Sequence, residues 1–155
     1  MVRRGIYLVP TFHAGQGILK AEEANPGSIL PQSLRKSRES RAIQKAHIRM
    51  AIKKGVKVAM GTDSGVGQHG TNAEELTYLV DLGGMSPMDA IVAATKTAAE
   101  CNQMDNEVGT LKEGMSADLL VVDGDPLTDI SILEEKSNLL MIMQGGDAHK
   151  DLIRD

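Results

Sequence analysis

Residues 45–82 constrain the fold more than any other part of this 155-residue chain. Lys45 to Lys54 is rich in good helix formers, and Gly55 can end that helix in a left-handed conformation. The short apolar run Val56-Lys-Val-Ala-Met60 follows, and Gly61-Thr62-Asp63 comes directly after it. Asn72 to Leu82 reads as the next helix. Helix, strand, loop, helix is the unit of a parallel α/β fold. It delivers Asp63 at the carboxyl end of a strand, where the loops of such folds gather functional groups.

The same punctuation divides the rest of the chain. Ile6 to Pro10 is expected to be a short buried strand, and Thr11 to Gln32, broken by Gly15, Gly17, Pro26, Gly27 and Pro31, a loop or broken helix. A loop of that length inside a compact domain is usually functional or disordered. A helix is expected from about Ser33 to Lys54. Thr71 or Asn72 can cap the helix that Gly83-Gly84 ends, and Ser86-Pro87 opens another that runs to about Asn102. From Val108 the pattern changes to short apolar runs, Leu119 to Val122 and Leu139 to Met143. They are separated by turn residues at Gly109, Gly114, Gly124-Asp125-Pro126 and Gly145-Gly146.

Composition narrows the function classes. Hydrophobic residues make up 41% and charged residues 25%, which is ordinary for a globular protein, but only 2% are aromatic, so the core must be built from aliphatic residues and nine Met. The single cysteine, Cys101, excludes an internal disulfide and points to a reducing, cytoplasmic setting. No apolar run approaches the length of a membrane span, and no signal-peptide pattern is present. Nine of the 17 basic residues lie between Arg35 and Lys57 with one acid, Glu39. No aromatic residues are interleaved there for base stacking. The basic stretch therefore reads as the solvated side of a helix whose apolar side carries Ile43, Ala46 and Met50, with Ala51 nearby. Neither nucleic acid nor membrane is expected as a partner.

Three segments carry a family resemblance in both order and spacing: Tyr7-Leu-Val-Pro-Thr11; Gly55 to Gly65 with His69-Gly-Thr-Asn-Ala-Glu-Glu-Leu76; and Val108 to Pro126. They resemble the amidohydrolase superfamily, in the branch of imidazolonepropionase-like, Xaa-Pro dipeptidase-like and metal-dependent carboxypeptidase-like enzymes. The resemblance implies an α/β fold: a partial TIM barrel over residues 1–105, then short strands over 106–155 that belong to a small β-sandwich whose other strands come from elsewhere. It also implies that residues 11–32 lie above the barrel mouth and help to cover substrate.

Such enzymes hold one or two divalent metals, zinc being the expected ion. The ligands are a His-x-His pair, a modified lysine or acid, two further histidines and an aspartate from the last strand. Only the aspartate, Asp63, has a counterpart here. The four histidines, His13, His47, His69 and His149, form no His-x-His pair. The resemblance gives Asp63 two tasks, metal ligand and proton carrier between the attacking hydroxide and the leaving nitrogen. A carboxylate suits both, being a hard anionic donor and a base. One carboxylate cannot retain zinc, however, so this chain alone is expected to hold no metal and to be inactive. The same residues can also be read as a turn in which Asp63 accepts backbone N–H bonds.

His69 follows the strand in a loop and is a candidate to hydrogen-bond substrate, as is His13 in the long loop, where the alternative is simple exposure to water. His47 and His149 are taken as surface residues. Glu74 and Glu75 open a helix, where negative charge favours the dipole. Gly65-Val-Gly-Gln-His-Gly70 spells a dinucleotide-binding spacing, but no second strand ending in an acid follows about 20 residues on, so nucleotide binding is not expected.

The resulting expectation is the carboxyl-terminal portion of an enzyme that cleaves a C–N bond in a small amide or dipeptide. A non-catalytic truncated scaffold or association module is the rival. Unpaired strand edges and an open apolar face, including Leu8, Val56, Val58, Leu120, Val122 and Met141, require a partner. A homo-oligomer or a missing N-terminal segment would provide it.

Overall fold

The computed structural model describes residues 1–66 and 69–153. Gly67 and Gln68, within the glycine-spaced run 65–70, lie outside the described residues.

Helix α2 spans Pro31–Lys53, with Pro31 in its first turn where a missing N–H costs nothing. Gly55, at φ 76°, turns the chain out of it. Helix α3, Glu74–Asp81, ends where Gly83 and Gly84 donate back to the carbonyls of Tyr78 and Val80. Helix α4, Pro87–Ala94, is capped by Ser86, whose hydroxyl accepts from the Asp89 N–H at 3.1 Å.

The sequence predicts one helix from Ser86 to Asn102, but the structure divides it into α4 and α5, Lys96–Cys101. The break has a local cause. The Ala93 carbonyl accepts from Met60 N–H at 2.9 Å instead of from the next helical turn, and the Thr95 hydroxyl bonds back to the Ile91 carbonyl at 2.7 Å.

Of the two readings for residues 11–32, a loop or a broken helix, the structure takes the second: Phe12–Ala24 is a helix, α1, and the chain leaves it before α2 begins at Pro31. Its cap is not local, since Thr11 makes no side-chain cap bond. The first N–H groups are instead received by a carboxylate 63 positions along the chain, that of Glu75.

The strands expected at 6–10 and 56–60 meet at a single parallel bridge, Leu8 with Val58. Leu8 N–H donates to the Lys57 carbonyl at 2.9 Å and Ala59 N–H to the Leu8 carbonyl at 3.0 Å. The only multi-stranded sheet among the described residues is antiparallel, in the order β1 (Leu119–Val122), β2 (Leu139–Gln144), β3 (Asp147–Asp151). Gly145 and Gly146, both at positive φ, supply the two-residue turn between β2 and β3.

The core joins Phe12 of α1, Ile48 of α2, Leu76 and Leu79 of α3, Ala90 and Ala93 of α4, Val58, and Ile130 from the tail. Thr77 also donates to Glu134, a second tie between α3 and the tail. The buried side of α2 differs from the expected one. Ile48 is buried and Ile52 packs against the core, whereas Ile43 and Met50 are 59% and 50% exposed. The sequence places two apolar stripes on this helix, and only one has a neighbour.

The accessible surface is 9,946 Å² for a chain of 16.6 kDa, while a folded monomer of that mass is expected to expose about 7,600 Å². Ile43, Met50, Leu111 and Leu120 contribute to the excess. No described helix is long and apolar enough to cross a membrane.

Gly109 fixes the junction between α5 and the tail. It sits at φ 93°, and a Cβ there would lie 2.6 Å from the Ala99 Cβ and 3.0 Å from the Thr95 carbonyl oxygen. Gly109→Ala is expected to destabilise the chain by about 2–3 kcal/mol through left-handed strain and overpacking. Urea unfolding checks this, and an unchanged midpoint would mean that the junction can open without loss.

Candidate active site

Two extended segments, 6–10 and 56–60, run side by side, and their carboxyl ends lead into Thr11 and Asp63. Both residues adopt left-handed backbone, at φ 49° and 55°. Asp tolerates this conformation, but for β-branched Thr it is a strained one. A Cβ at Gly61 would meet Val9 Cγ1 at 2.6 Å, so any larger residue there would have to displace the Val9 side chain.

Asp63 is exposed. Its backbone carbonyl accepts from Val66 N–H at 3.2 Å, closing a turn. Its carboxylate has no hydrogen bond among the described residues, so the side chain is not consumed in holding that turn. Thr62 and Ser64 hydroxyls, 2.8 Å apart, pair with each other beside it.

His69 is exposed in the loop leading to α3. His13 is placed otherwise than a solvent-facing loop residue would be. It lies in the first turn of α1, 3% exposed. Its Nε2 is 2.9 Å from the Thr71 hydroxyl and its Nδ1 is buried without a hydrogen-bond partner. The structure thus ties His13 to the loop that carries His69, two residues before Thr71.

Glu75 is the residue the sequence reading missed. Its carboxylate is fully buried and receives Phe12 N–H at 2.9 Å and His13 N–H at 2.6 Å. Burial pushes the carboxyl up to about 7, against the two N–H donors that favour the anion. A signal for it existed: Glu75, Leu79 and Leu82 fall at i, i+4 and i+7, with Leu76 beside them, which puts Glu75 on the core stripe of α3.

Glu74 is a surface residue by comparison. Lys20 Nζ lies 2.7 Å from its carboxylate and the Tyr78 hydroxyl 3.0 Å. Partial burial opposes ionisation, but these two bonds hold the Glu74 carboxyl below the usual carboxylate range.

Among the described residues no three His, Cys, Asp or Glu side chains converge to hold a metal ion. Asp63 is a single hard donor, and three or four protein ligands are the usual requirement. The described residues therefore do not by themselves make up the donor set of a catalytic metal.

The geometry is matched by known proteins. The amidohydrolase family model matches residues 1–148, and the chain belongs to that family. Ochratoxinase from Aspergillus niger is 39% identical over 101 residues, 64% of this chain and 21% of the relative. Imidazolonepropionase from Syntrophobacter fumaroxidans is 35% identical over 106 residues, 67% of this chain and 24% of the relative. Among solved structures, a Xaa-Pro dipeptidase with methionine bound in its active site superposes with TM-score 0.82 at 37% identity, over 97% of this chain and 36% of its own. The chain thus spans about a fifth to a quarter of these curated relatives and about a third of that dipeptidase. Enzymes of this family generally bind divalent metals.

The buried Glu75 carboxyl makes stability depend on pH. Its folded pKa, about 7, lies above the ordinary value of 4.5. The native state therefore holds the proton more tightly, and stability is full below pH 4.5 and falls as pH rises towards 7. The loss is on the order of 3 kcal/mol. Glu75→Gln, which cannot ionise, should show a much flatter profile in thermal unfolding from pH 4.5 to 7.5. A wild-type protein that gains stability over this interval would show instead that the two N–H donors outweigh burial.

Proposed function

We propose that this chain is the carboxyl-terminal part of a metal-dependent amidohydrolase that cleaves the C–N bond of a dipeptide or N-acyl amino acid, and that a second polypeptide segment completes it. Residues 1–105 would form the last strands and helices of its barrel and residues 106–155 part of its β-sandwich. The observation that carries this reading is the exposed Asp63 carboxylate, without a hydrogen bond among the described residues, at the carboxyl end of a strand segment paired in parallel with its neighbour.

In this reading Asp63 accepts a proton from the attacking water and returns it to the departing nitrogen, a role that needs a carboxylate free of internal bonds. His69, exposed two residues before the Thr71 anchor, binds the polar end of the substrate. His13 acts through Thr71, steadying that loop without reaching solvent itself. The bond class is supported by the names of the relatives, a Xaa-Pro dipeptidase and an ochratoxinase. Zinc would be bound only once the completing segment supplies the missing ligands. Cys101, a free thiol, supports a cytoplasmic setting.

The isolated chain is expected to retain only substoichiometric metal after dialysis against buffer, measured by elemental analysis. Stoichiometric zinc on a monomer would overturn the reading. Assembled with a polypeptide corresponding to the rest of the dipeptidase fold, the chain should hydrolyse Xaa-Pro dipeptides or N-acyl amino acids. Asp63→Asn should then lower turnover by about 10²–10⁴-fold with an unchanged circular dichroism spectrum. Activity within tenfold of wild type would reduce Asp63 to a turn residue.

A further inference from the structure

A cavity of about 40 Å³ lies between α1 and α2, room for a few waters or one small ion. Its floor is apolar, made by buried Phe12 and by Leu82. Its walls are not. Gln16 comes from α1, and Ser37, Ser40, Arg41, Gln44 and Lys45 come from α2, so every polar side chain lining the cavity carries a hydrogen-bond donor and none is acidic. On α2, Ser37, Arg41 and Lys45 recur at every fourth position and Ser40 and Gln44 stand on the adjoining row, which gathers all five on one side of the helix. On the α1 side the space opens at Gly15, where an added Cβ would meet nothing within 4 Å.

The acceptors in reach do not match these donors. Ser40 donates to the Ser37 carbonyl at 3.3 Å and Gln44 to the Pro10 carbonyl at 3.4 Å, both long bonds. The Leu82 carbonyl is taken by Arg49, whose Nε lies 2.8 Å away. The Ser37 hydroxyl, the Gln16 carboxamide, the Arg41 guanidinium and the Lys45 ammonium have no partner among the described residues.

Other cations of the same helix are placed differently. Arg35 pairs with Glu39, and Arg49 spans the carbonyls of Asp81 and Leu82 at the end of α3. Arg41 and Lys45 stand instead at i and i+4, a like-charge pair that weakens a helix. An anion held by both removes that repulsion. Water satisfies the hydroxyl and the carboxamide but leaves both cations without a counter-charge.

We infer that this cavity binds a small tetrahedral oxyanion, inorganic phosphate or sulfate, through Arg41, Lys45, Ser37 and Gln16. Such an ion presents acceptors in four directions to four groups that donate, and the apolar floor strengthens charge-assisted bonds by keeping water from one side. The volume admits the free ion and not a bulkier ester. Bound there, the ion bridges α1 to α2 and gives α1 a second tie beside that of Glu75, on the helix whose first turn carries His13. The site does not rest on the catalytic reading given above.

The test uses the full 155-residue chain with sodium phosphate, sodium sulfate and sodium chloride at matched ionic strength. Phosphate and sulfate should raise the thermal midpoint saturably beyond the effect of chloride, and calorimetric titration should give one site per chain. Hydrogen exchange at residues 12–24 should slow when phosphate is bound. Arg41→Gln and Lys45→Gln should each weaken binding about tenfold. Lys53→Gln, on the same helix outside the cavity, should leave it unchanged, and glycerol 2-phosphate should bind more weakly than the free ion. Gln16→Glu sets a carboxylate in the cavity, so it should raise the midpoint in chloride and abolish the response to phosphate. That variant removes no cation and decides the matter if either of the others fails to fold. Equal responses to the three salts, unchanged binding in both Arg41→Gln and Lys45→Gln, or a Gln16→Glu chain that still responds to phosphate overturns the site. So does equal binding of glycerol 2-phosphate, which would place the ion on an open surface.

Discussion

The arrangement of this chain depends on one buried carboxylate. Glu75, inside the core and without solvent, receives the first backbone N–H groups of α1. Each partner answers a need of the other: a helix start packed into a core has N–H groups that water cannot reach, and a buried carboxyl needs donors. The bond pair fixes α1 against α3; α1 begins just after the segment 6–10, and α3 follows the loop that leaves the segment 56–60. His13, held in that first turn, reaches Thr71 in the loop before α3. A single capping interaction thus sets the relation between Thr11 on one side and the loop carrying Asp63 and His69 on the other.

This explains which parts of the fold were legible in the sequence. Elements whose signals are local could be read: α2 from its proline start and glycine exit, α4 from Ser86-Pro87, β1 and β2 from apolar runs between turns. α1 could be read only as one of two alternatives, a loop or a broken helix, because Gly15, Gly17 and an uncapped start argue against a helix locally and its cap comes from Glu75. The break at Thr95 was equally invisible, since it depends on a carbonyl taken by Met60 from a different part of the chain. Of the site, Asp63 was legible because its position follows from a strand and a turn. His13 was identified, but its burial was not, since burial belongs to α1. Glu75 was read with Glu74 as a dipole-favouring pair; both do stand in the first turn of α3, but the Glu75 carboxylate also receives the start of α1.

The misread face of α2 bears on the same point. Ile43, Ala46 and Met50 form a genuine apolar stripe at helical spacing, yet the structure exposes them and buries Ile48 instead. A helix with two apolar stripes suits a position between two layers, and only one layer is present here. The single parallel bridge between the segments 6–10 and 56–60 has the same character, for a parallel strand is normally buried between neighbours on both sides. Unlike the antiparallel tail, which forms its ladder from its own turns, these segments have no further strand among the described residues to extend the pairing.

The distribution of polar groups then differs from one exposed face to another. Charged β3, the Lys20–Glu74 pair and the Lys57–Glu100 pair decorate faces that need no cover. The β1 edge, the outer stripe of α2 and the loop at Asp63 expose groups of other kinds. In the first two the exposed groups are apolar or main-chain, and their exposure costs stability. At Asp63 the exposed group is a carboxylate, which water solvates, on left-handed backbone that Asp tolerates. The buried bonds between Glu75 and the first turn of α1 meanwhile tie that turn to α3, the helix that follows the loop carrying Asp63 and His69.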